Sequence, residues 1–299
     1  MSTSCVARAA PLASLFAATL VATLASCGAR TGVDALPGAA SATDAGGALD
    51  ATPSDAPGTP PDAASCPDGG PLDVVYAMDG PGVLYRYDPV TNQSTQLGAP
   101  DCGNGNVPWT ITASRDAVYV VYTDWTLYRV DPATLRCTGT PFDANQVGLD
   151  SEFGVAAFGS GAGERLFVYG VPAGGPTPIL AVADTISFAL TKVGDVVPAP
   201  HPGGFPVNLT ADNLGHLYAF APFTLGPVLE IDQTSGAVLQ SVDTGVTTQS
   251  TWATIAYGTR LFLWVDDRVV GYDLAAHAQT GTRDAGFGAI GAGSFPACP

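Results

Sequence analysis

Along residues 117–138, AVYVVYTDWTLYRVDPATLRCT, apolar and polar positions follow a plan that four other stretches of the chain repeat. In Val118-Tyr119-Val120-Val121-Tyr122 both alternating faces are apolar, and the residues are the β-branched and aromatic types that suit a strand covered on two sides. Thr123-Asp124-Trp125-Thr126 is short and polar enough for a hairpin turn, and Leu127-Tyr128-Arg129-Val130 returns as the next strand. Asp131-Pro132 then suits the first two positions of a type I turn, which leads into a further strand over residues 135–142.

The same strand ending recurs as Leu84-Tyr85-Arg86-Tyr87-Asp88, Leu180-Ala181-Val182-Ala183-Asp184, Val228-Leu229-Glu230-Ile231-Asp232 and Val269-Val270-Gly271-Tyr272-Asp273. The terminal Asp residues lie 43, 53, 48 and 41 positions apart, in or near the period of about 40–50 residues that a propeller blade needs. A blade apolar on both faces cannot cover itself, whereas blades packed in a closed ring cover each other and leave no open stack. The pattern therefore predicts an all-β fold: a five-bladed β-propeller of four-stranded antiparallel blades. The first unit has strands near 72–78, 83–87 and 93–97 but little room for an innermost one, while residues 287–297 remain after the fifth unit is complete. The expectation is that this C-terminal strand pairs with the first blade and closes the ring. The other blades are expected to run from Trp109 through Phe142, Phe153 through Lys192, Val207 through Val242 and Trp252 through Arg283. The third, with its Gly/Pro-rich hairpin at 172–178, is expected to be the least regular.

Upstream of the propeller the composition changes twice. Residues 1–26 hold one cation, Arg8, and then an Ala/Leu-rich run from Ala9 to Ala25, which reads as a secretory signal rather than a spanning helix. Its end, Leu24-Ala25-Ser26-Cys27, resembles the bacterial lipobox. That resemblance implies cleavage before Cys27, acylation of its thiol, and a membrane lipid as a partner of the mature chain. It also implies a lipid-anchored protein of the cell envelope. Gly28, in place of the Asp that retains some lipoproteins at the inner membrane, favours the outer membrane or cell surface. Between Gly28 and Ser65, 34 of 38 residues are Ala, Gly, Pro, Asp, Ser or Thr, with no aromatic among them. Such a segment cannot build a core. Residues 27–70 are therefore an anchor and a disordered tether with a reach of about 30–35 Å, and residues 71–299 are the propeller domain.

The chain carries 11 cations against 27 carboxylates, a formal charge of −16. Nucleic acid and anionic membrane surfaces are therefore expected to be poor partners, since phosphates are held by clustered Lys and Arg, which here are spread along the chain. Of the six cysteines, Cys5 lies in the leader and Cys27 is the anchor. The remaining four allow three connectivities in an exported chain. Cys102 precedes the second unit's first strand and Cys137 lies in its last, while Cys66 and Cys298 flank the whole domain. The expected bonds are Cys102–Cys137 and Cys66–Cys298.

The units LYRYDPVTNQ and LYRVDPATLR are similar to repeats of the NHL, quinoprotein-type and related bacterial β-propellers, in which a strand ending in Asp-Pro leads into a Thr-containing turn. The resemblance implies a fold and leaves the chemistry open, because such propellers include binding proteins, assembly factors and enzymes.

The five terminal Asp residues stand before turns, where a carboxylate accepts nearby backbone N–H groups, so they are expected to be conformational. The opposite face gathers the long inter-blade loops and the middle hairpins, where function tends to sit on a rigid scaffold. The candidate binding face comprises Asp101, Asn104, Asp124, Trp125, Asp143, Asp150, Glu152 and His201, with Asn106, Asn145, Asp266 and Asp267 nearby. No catalytic residue, metal ligand set or cofactor motif stands out. The three histidines are widely spaced, there is no nucleophile elbow or phosphate-cradling loop, and only Glu152 and Asn208 lie near the central channel. The sequence thus favours a monomeric, non-catalytic binding or scaffolding propeller whose ligand is an envelope protein or a saccharide. The alternative is a periplasmic propeller enzyme with a calcium-type ion or a quinone on the loop-rich face.

Overall fold

The computed structural model describes residues 74–295 except 104, 115, 150–151, 159–162, 198–206, 213–214, 224 and 249. The leader, the tether, Cys27, Cys66 and Cys298 lie outside these residues, as do Asn104, Asp150 and His201.

Blade 1 begins with β1 (Val74–Asp79), β2 (Leu84–Asp88) and β3 (Gln93–Gly98). Blade 2 is β4 (Pro108–Ala113), β5 (Val118–Tyr122), β6 (Leu127–Val130) and β7 (Cys137–Gly139). Blade 3 is β8 (Gly154–Phe158), β9 (Arg165–Gly170), β10 (Ile179–Asp184) and β11 (Leu190–Asp195). Blade 4 is β12 (Asn208–Ala211), β13 (Leu217–Phe220), β14 (Pro227–Ile231) and β15 (Val238–Asp243). Blade 5 is β16 (Trp252–Tyr257), β17 (Arg260–Val265), β18 (Arg268–Asp273) and β19 (Ala278–Asp284). The last strand, β20 (Ala289–Phe295), pairs antiparallel with β1, with Val75 opposite Ser294 and Ala77 opposite Ala292, and so supplies the inner strand of blade 1. The sheets are five, each four-stranded, and the inner strands β20, β4, β8, β12 and β16 contact one another around a ring. The third blade is as complete as the others.

Burial falls from the axis outward. The second strands β5 and β13 are buried at every position, while the outermost β19 is exposed throughout. This is why β5 reads as apolar on both faces: each face meets a different neighbouring blade. The apolar core is accordingly divided among the seams. Tyr119 and Val121 of blade 2 pack on Val155 and Val168 of blade 3, and Phe167 and Tyr169 of blade 3 on Leu209 and Leu217 of blade 4. Tyr218 and Phe220 of blade 4 pack on Leu261 and Leu263 of blade 5, and Met78 and Leu84 of blade 1 on Val118 and Val120 of blade 2. The closing seam joins Trp264 to Val75, Ala77 and Tyr87, with Tyr87 edge-on to Trp264 at 4.8 Å.

Near the axis, where five strands converge, large side chains do not fit. Thr112 Oγ1 of blade 2 accepts Ala157 N of blade 3 at 2.9 Å, Thr210 Oγ1 of blade 4 accepts Ala256 N of blade 5 at 3.2 Å, and Ser294 Oγ of blade 1 donates to Ala256 O at 2.8 Å. At the seam of blades 1 and 2 no side chain intervenes: a Cβ on Gly291 or Gly293 would overlap Ile111 N or Ala113 N.

The terminal Asp residues build one repeated turn. Asp88, Asp131, Asp184 and Asp232 each accept the N–H groups of the residues two and three positions on, for example Thr234 N at 2.9 Å and Ser235 N at 2.7 Å for Asp232. Asp273 accepts Ala276 N at 2.8 Å. Four positions after each Asp the backbone turns left-handed, at Asn92, Leu135, Phe188, Gly236 and His277 (φ 57°, 59°, 56°, 78° and 50°). A non-glycine residue there costs free energy that other contacts must offset, and in each turn those contacts come from the preceding blade. Asn92 Nδ2 donates to Asp284 O at 3.1 Å, Leu135 lies over Gly98, and Phe188 O accepts Gln146 Nε2 at 3.5 Å. Gly236 lies against Gly194, and His277 Nε2 is 3.2 Å from Gln240 Nε2. The Asp turn is therefore the clasp between blades. At the junction of blades 1 and 2 the clasp is covalent: Asp101 forms a bridge with Arg136, and Cys102 is bonded to Cys137 with Cα atoms 5.0 Å apart.

Candidate functional site

Every inner strand starts on the face opposite the Asp turns. Four of these starts, from blades 1, 2, 4 and 5, surround a cavity of about 290 Å³ at the mouth of the central channel. Its wall is Trp109, Trp252, Pro108, Val107, Val207 and Ile290, with Thr110, Asn208, Thr123, Ser250 and Thr251 supplying polar groups. Both indoles are half-buried and held edge-on by another ring, Trp109 by Trp125 at 5.7 Å and Trp252 by Phe223 at 5.1 Å. Trp125 is fixed in turn against Phe153 at 5.6 Å, and its φ of 65° closes the hairpin through Trp125 N to Tyr122 O at 2.8 Å. The floor is Asn208, 2% exposed, whose Nδ2 donates to Thr110 Oγ1 at 3.0 Å and whose Oδ1 accepts Thr254 N at 2.9 Å. Its carboxamide is consumed by the scaffold. None of the lining side chains is ionisable.

The remaining sequence candidates have local work. Asp124 Oδ2 accepts Asn106 Nδ2 at 2.6 Å and its Oδ1 accepts Thr126 Oγ1 at 2.6 Å, which shapes the hairpin beside the cavity. Asp143 caps a 3-10 turn over Ala144–Val147 by accepting Asn145 N at 3.0 Å. Asp101 Oδ1 accepts Gly103 N at 3.0 Å, and its bridge to Arg136 carries it to the blade 2 clasp, away from the residues lining the cavity. Glu152 is exposed with φ 50°, and Asp266 accepts Thr248 Oγ1 at 2.6 Å. Of the named residues the structure places Trp125, Asp124, Asn106 and Asp266 next to the cavity, through Trp109, Thr123, Val107 and Thr251, whose carbonyl oxygen accepts Asp266 N at 3.0 Å. Sequence reasoning placed Trp109 and Trp252 at the starts of inner strands without marking them as a site. The available signal was a tryptophan at the first position of two units.

On the turn face, hydrogen bonds hold four of the clasp carboxylates ionised. Those from Thr234 and Ser235 bring Asp232 down to about 2; Thr91, Ala133 and Ser187 lead the same downward shift for Asp88, Asp131 and Asp184. These low values follow from turn geometry and signal no chemistry. Asp212, 5% exposed, accepts His216 N at 2.9 Å and faces His216 Nδ1 at 2.8 Å, closing the β12–β13 hairpin in the same manner. Among the described residues no three His, Cys, Asp or Glu side chains converge as a metal site would require.

No protein-family model matches the chain, and no curated protein matches it in sequence. Among solved structures it is similar to a protein of unknown function from Bacteroides caccae, at 11% identity over 72% of this chain and 73% of that one, with a TM-score of 0.42. It is also similar to apo AztD from Citrobacter koseri, at 8% identity over 75% of this chain and 98% of that one, with a TM-score of 0.41. These similarities concern the course of the backbone and bring no ligand or activity to this chain.

Proposed function

We propose that the protein is a lipid-anchored propeller of the cell envelope that binds a ligand without transforming it, at the channel mouth on the loop-rich face. The observation that carries the reading is the cavity wall: two braced indoles together with the hydroxyl residues Thr110, Thr123, Ser250 and Thr251, and no ionisable side chain among its lining residues. Such a wall suits a neutral ligand with an apolar face and a hydroxylated rim, because aromatic rings provide area at little entropic cost and a few fixed polar groups set orientation. A saccharide of the envelope has that character. The anchor rests on the lipobox at Leu24-Ala25-Ser26-Cys27 and on the Pro/Ala/Asp-rich tether that follows it.

Titration of the full chain with neutral envelope oligosaccharides, followed by tryptophan fluorescence, tests the binding half. Saturable quenching is expected, weakened about tenfold or more by Trp252→Ala, as for an aromatic anchor. Quenching that is linear for every sugar, or equal in the variant, removes the site. Intact mass tests the anchor: a diacylglyceryl adduct on Cys27 at a new N-terminus supports it, and an unmodified Cys27 removes it.

A further inference from the structure

On the opposite face, at the seam where β20 closes the ring, lies a groove of about 450 Å³ between blades 5 and 1. It is larger and more polar than the channel-mouth cavity, and its origin is local. Gly271 of β18 and Gly281 of β19 face each other in register beside a bulge, so that the outer half of blade 5 lacks two side chains on one face. The trough is walled by the β16–β17 hairpin, Tyr257 to Arg260, and by Pro89 and Val90 of the first Asp turn. Arg260 and Arg283 line it, whereas Arg86, paired with Tyr76 and alternating with Tyr87, lies on the blade 2 side of blade 1.

Two guanidiniums in one groove are unexpected in a chain of formal charge −16. Carboxylates outnumber cations 27 to 11, yet among the described residues the ion pairs are Lys192–Asp195 and His216–Asp212, so neither has a carboxylate within ion-pair distance. Asp273, the register partner of Arg260, accepts Ala276 N instead, and Asp88 is bound to its own turn at Val90 and Thr91. Arg283 spends one donor on Val90 O at 3.4 Å, which fixes its direction and leaves its other N–H groups unassigned. Both groove guanidiniums keep N–H donors that no described carboxylate takes up. Their planar forks match a phosphate in geometry as well as charge.

We propose that this groove binds the phosphate group of an anionic ligand, with Arg260 and Arg283 supplying the guanidiniums. The volume admits a phosphate together with a sugar- or glycerol-sized substituent. That chemistry is shared by soluble phosphorylated metabolites and by anionic lipid headgroups. The site is independent of the channel-mouth cavity, and neither needs the other.

The test uses the purified full chain with two probes: inorganic phosphate by calorimetry, and vesicles of phosphatidylglycerol against phosphatidylcholine by flotation. Saturable phosphate binding that weakens with salt, falls about tenfold or more in Arg260→Gln/Arg283→Gln, and is unchanged in Arg268→Gln supports the groove with a soluble ligand. Preference for phosphatidylglycerol that the same double variant abolishes supports it with a headgroup. The three arginines are exposed, and unchanged circular dichroism and melting in the double variant exclude loss of fold. Absence of both kinds of binding, or binding of equal strength in the double variant, overturns the proposal.

Discussion

Leu135, held at φ 59° in the second Asp turn, covers Gly98 at the end of the preceding blade so closely that a Cβ on Gly98 would meet Leu135 Cδ1 at 2.7 Å. The strained residue and the residue without a side chain are two halves of one clasp. A double-mutant cycle should show their coupling. Gly98→Ala should lower stability by roughly 1–3 kcal/mol through overlap and an unfavourable φ. In a Leu135→Asn background, where the shorter side chain also tolerates the left-handed backbone, the same change should cost measurably less. Equal costs in urea denaturation of both backgrounds would show that the clasp is not a contact between these two side chains.

Asn208 is the only described side chain that ties three blades, through Thr110 of blade 2 and Thr254 of blade 5. Asn208→Ala leaves a buried N–H and a buried hydroxyl without partners, and should cost roughly 1–3 kcal/mol for each. Asn208→Asp keeps an acceptor for Thr254 N but buries a charge, so it should be destabilised more at pH 7 than at pH 4. Thermal melts at the two pH values check the order.

The clasp carboxylates make stability depend on pH. The folded pKa values of Asp88, Asp131, Asp184 and Asp232 lie below the unfolded ones, so their contribution is present above about pH 4 and is lost as pH falls through the folded values, which reach about 2 at Asp232. The urea midpoint should therefore decline progressively between about pH 4 and pH 2. Asp232→Asn removes one titration and should flatten that decline. A variant with the parent's full slope over this range would place the acid sensitivity elsewhere.

Peptide mapping without reduction should recover Cys102 joined to Cys137. Cys102→Ser/Cys137→Ser should lose roughly 2–5 kcal/mol, the usual range for a native disulfide. Both positions recovered as free thiols from the exported protein would contradict the covalent clasp.

The fold was legible where the physics is local. The two-sided apolar β5, the turn that follows each terminal Asp and the surplus strand after blade 5 depend on residues close in sequence, and the strand count alone implied that β20 pairs with β1. The expected irregularity of blade 3 was wrong because its Gly/Pro-rich hairpin interrupts a connection and not a strand. What stayed hidden are pairings at long separation. Asn208 meets Thr110 across 98 positions, and Arg283 meets Val90 across 193 because the ring closes there. Loop carboxylates carry no mark of where a cavity forms, and the structure puts the cavity at the strand starts, at Trp109 and Trp252, the first residues of two blades.

Closure can be tested directly at β20. Deleting residues from 286 onward strips β1 of its inner partner and removes Ala289 and Ala292 from the core shared with Trp264. It also exposes the β4 backbone that Gly291 and Gly293 cover. Unpaired edges recruit other chains, so the truncated protein should aggregate or lose its cooperative melt, although every strand from β1 to β19 keeps its sequence. Gly291→Val is the milder form of the same experiment: its side chain would push β20 away from Ile111 while leaving the β1 ladder intact, at a cost of about 1–3 kcal/mol or more. A truncation that remains monomeric and melts within a degree or two of the parent would show that the ring does not depend on its last strand, because a dispensable tail is removed without loss of stability.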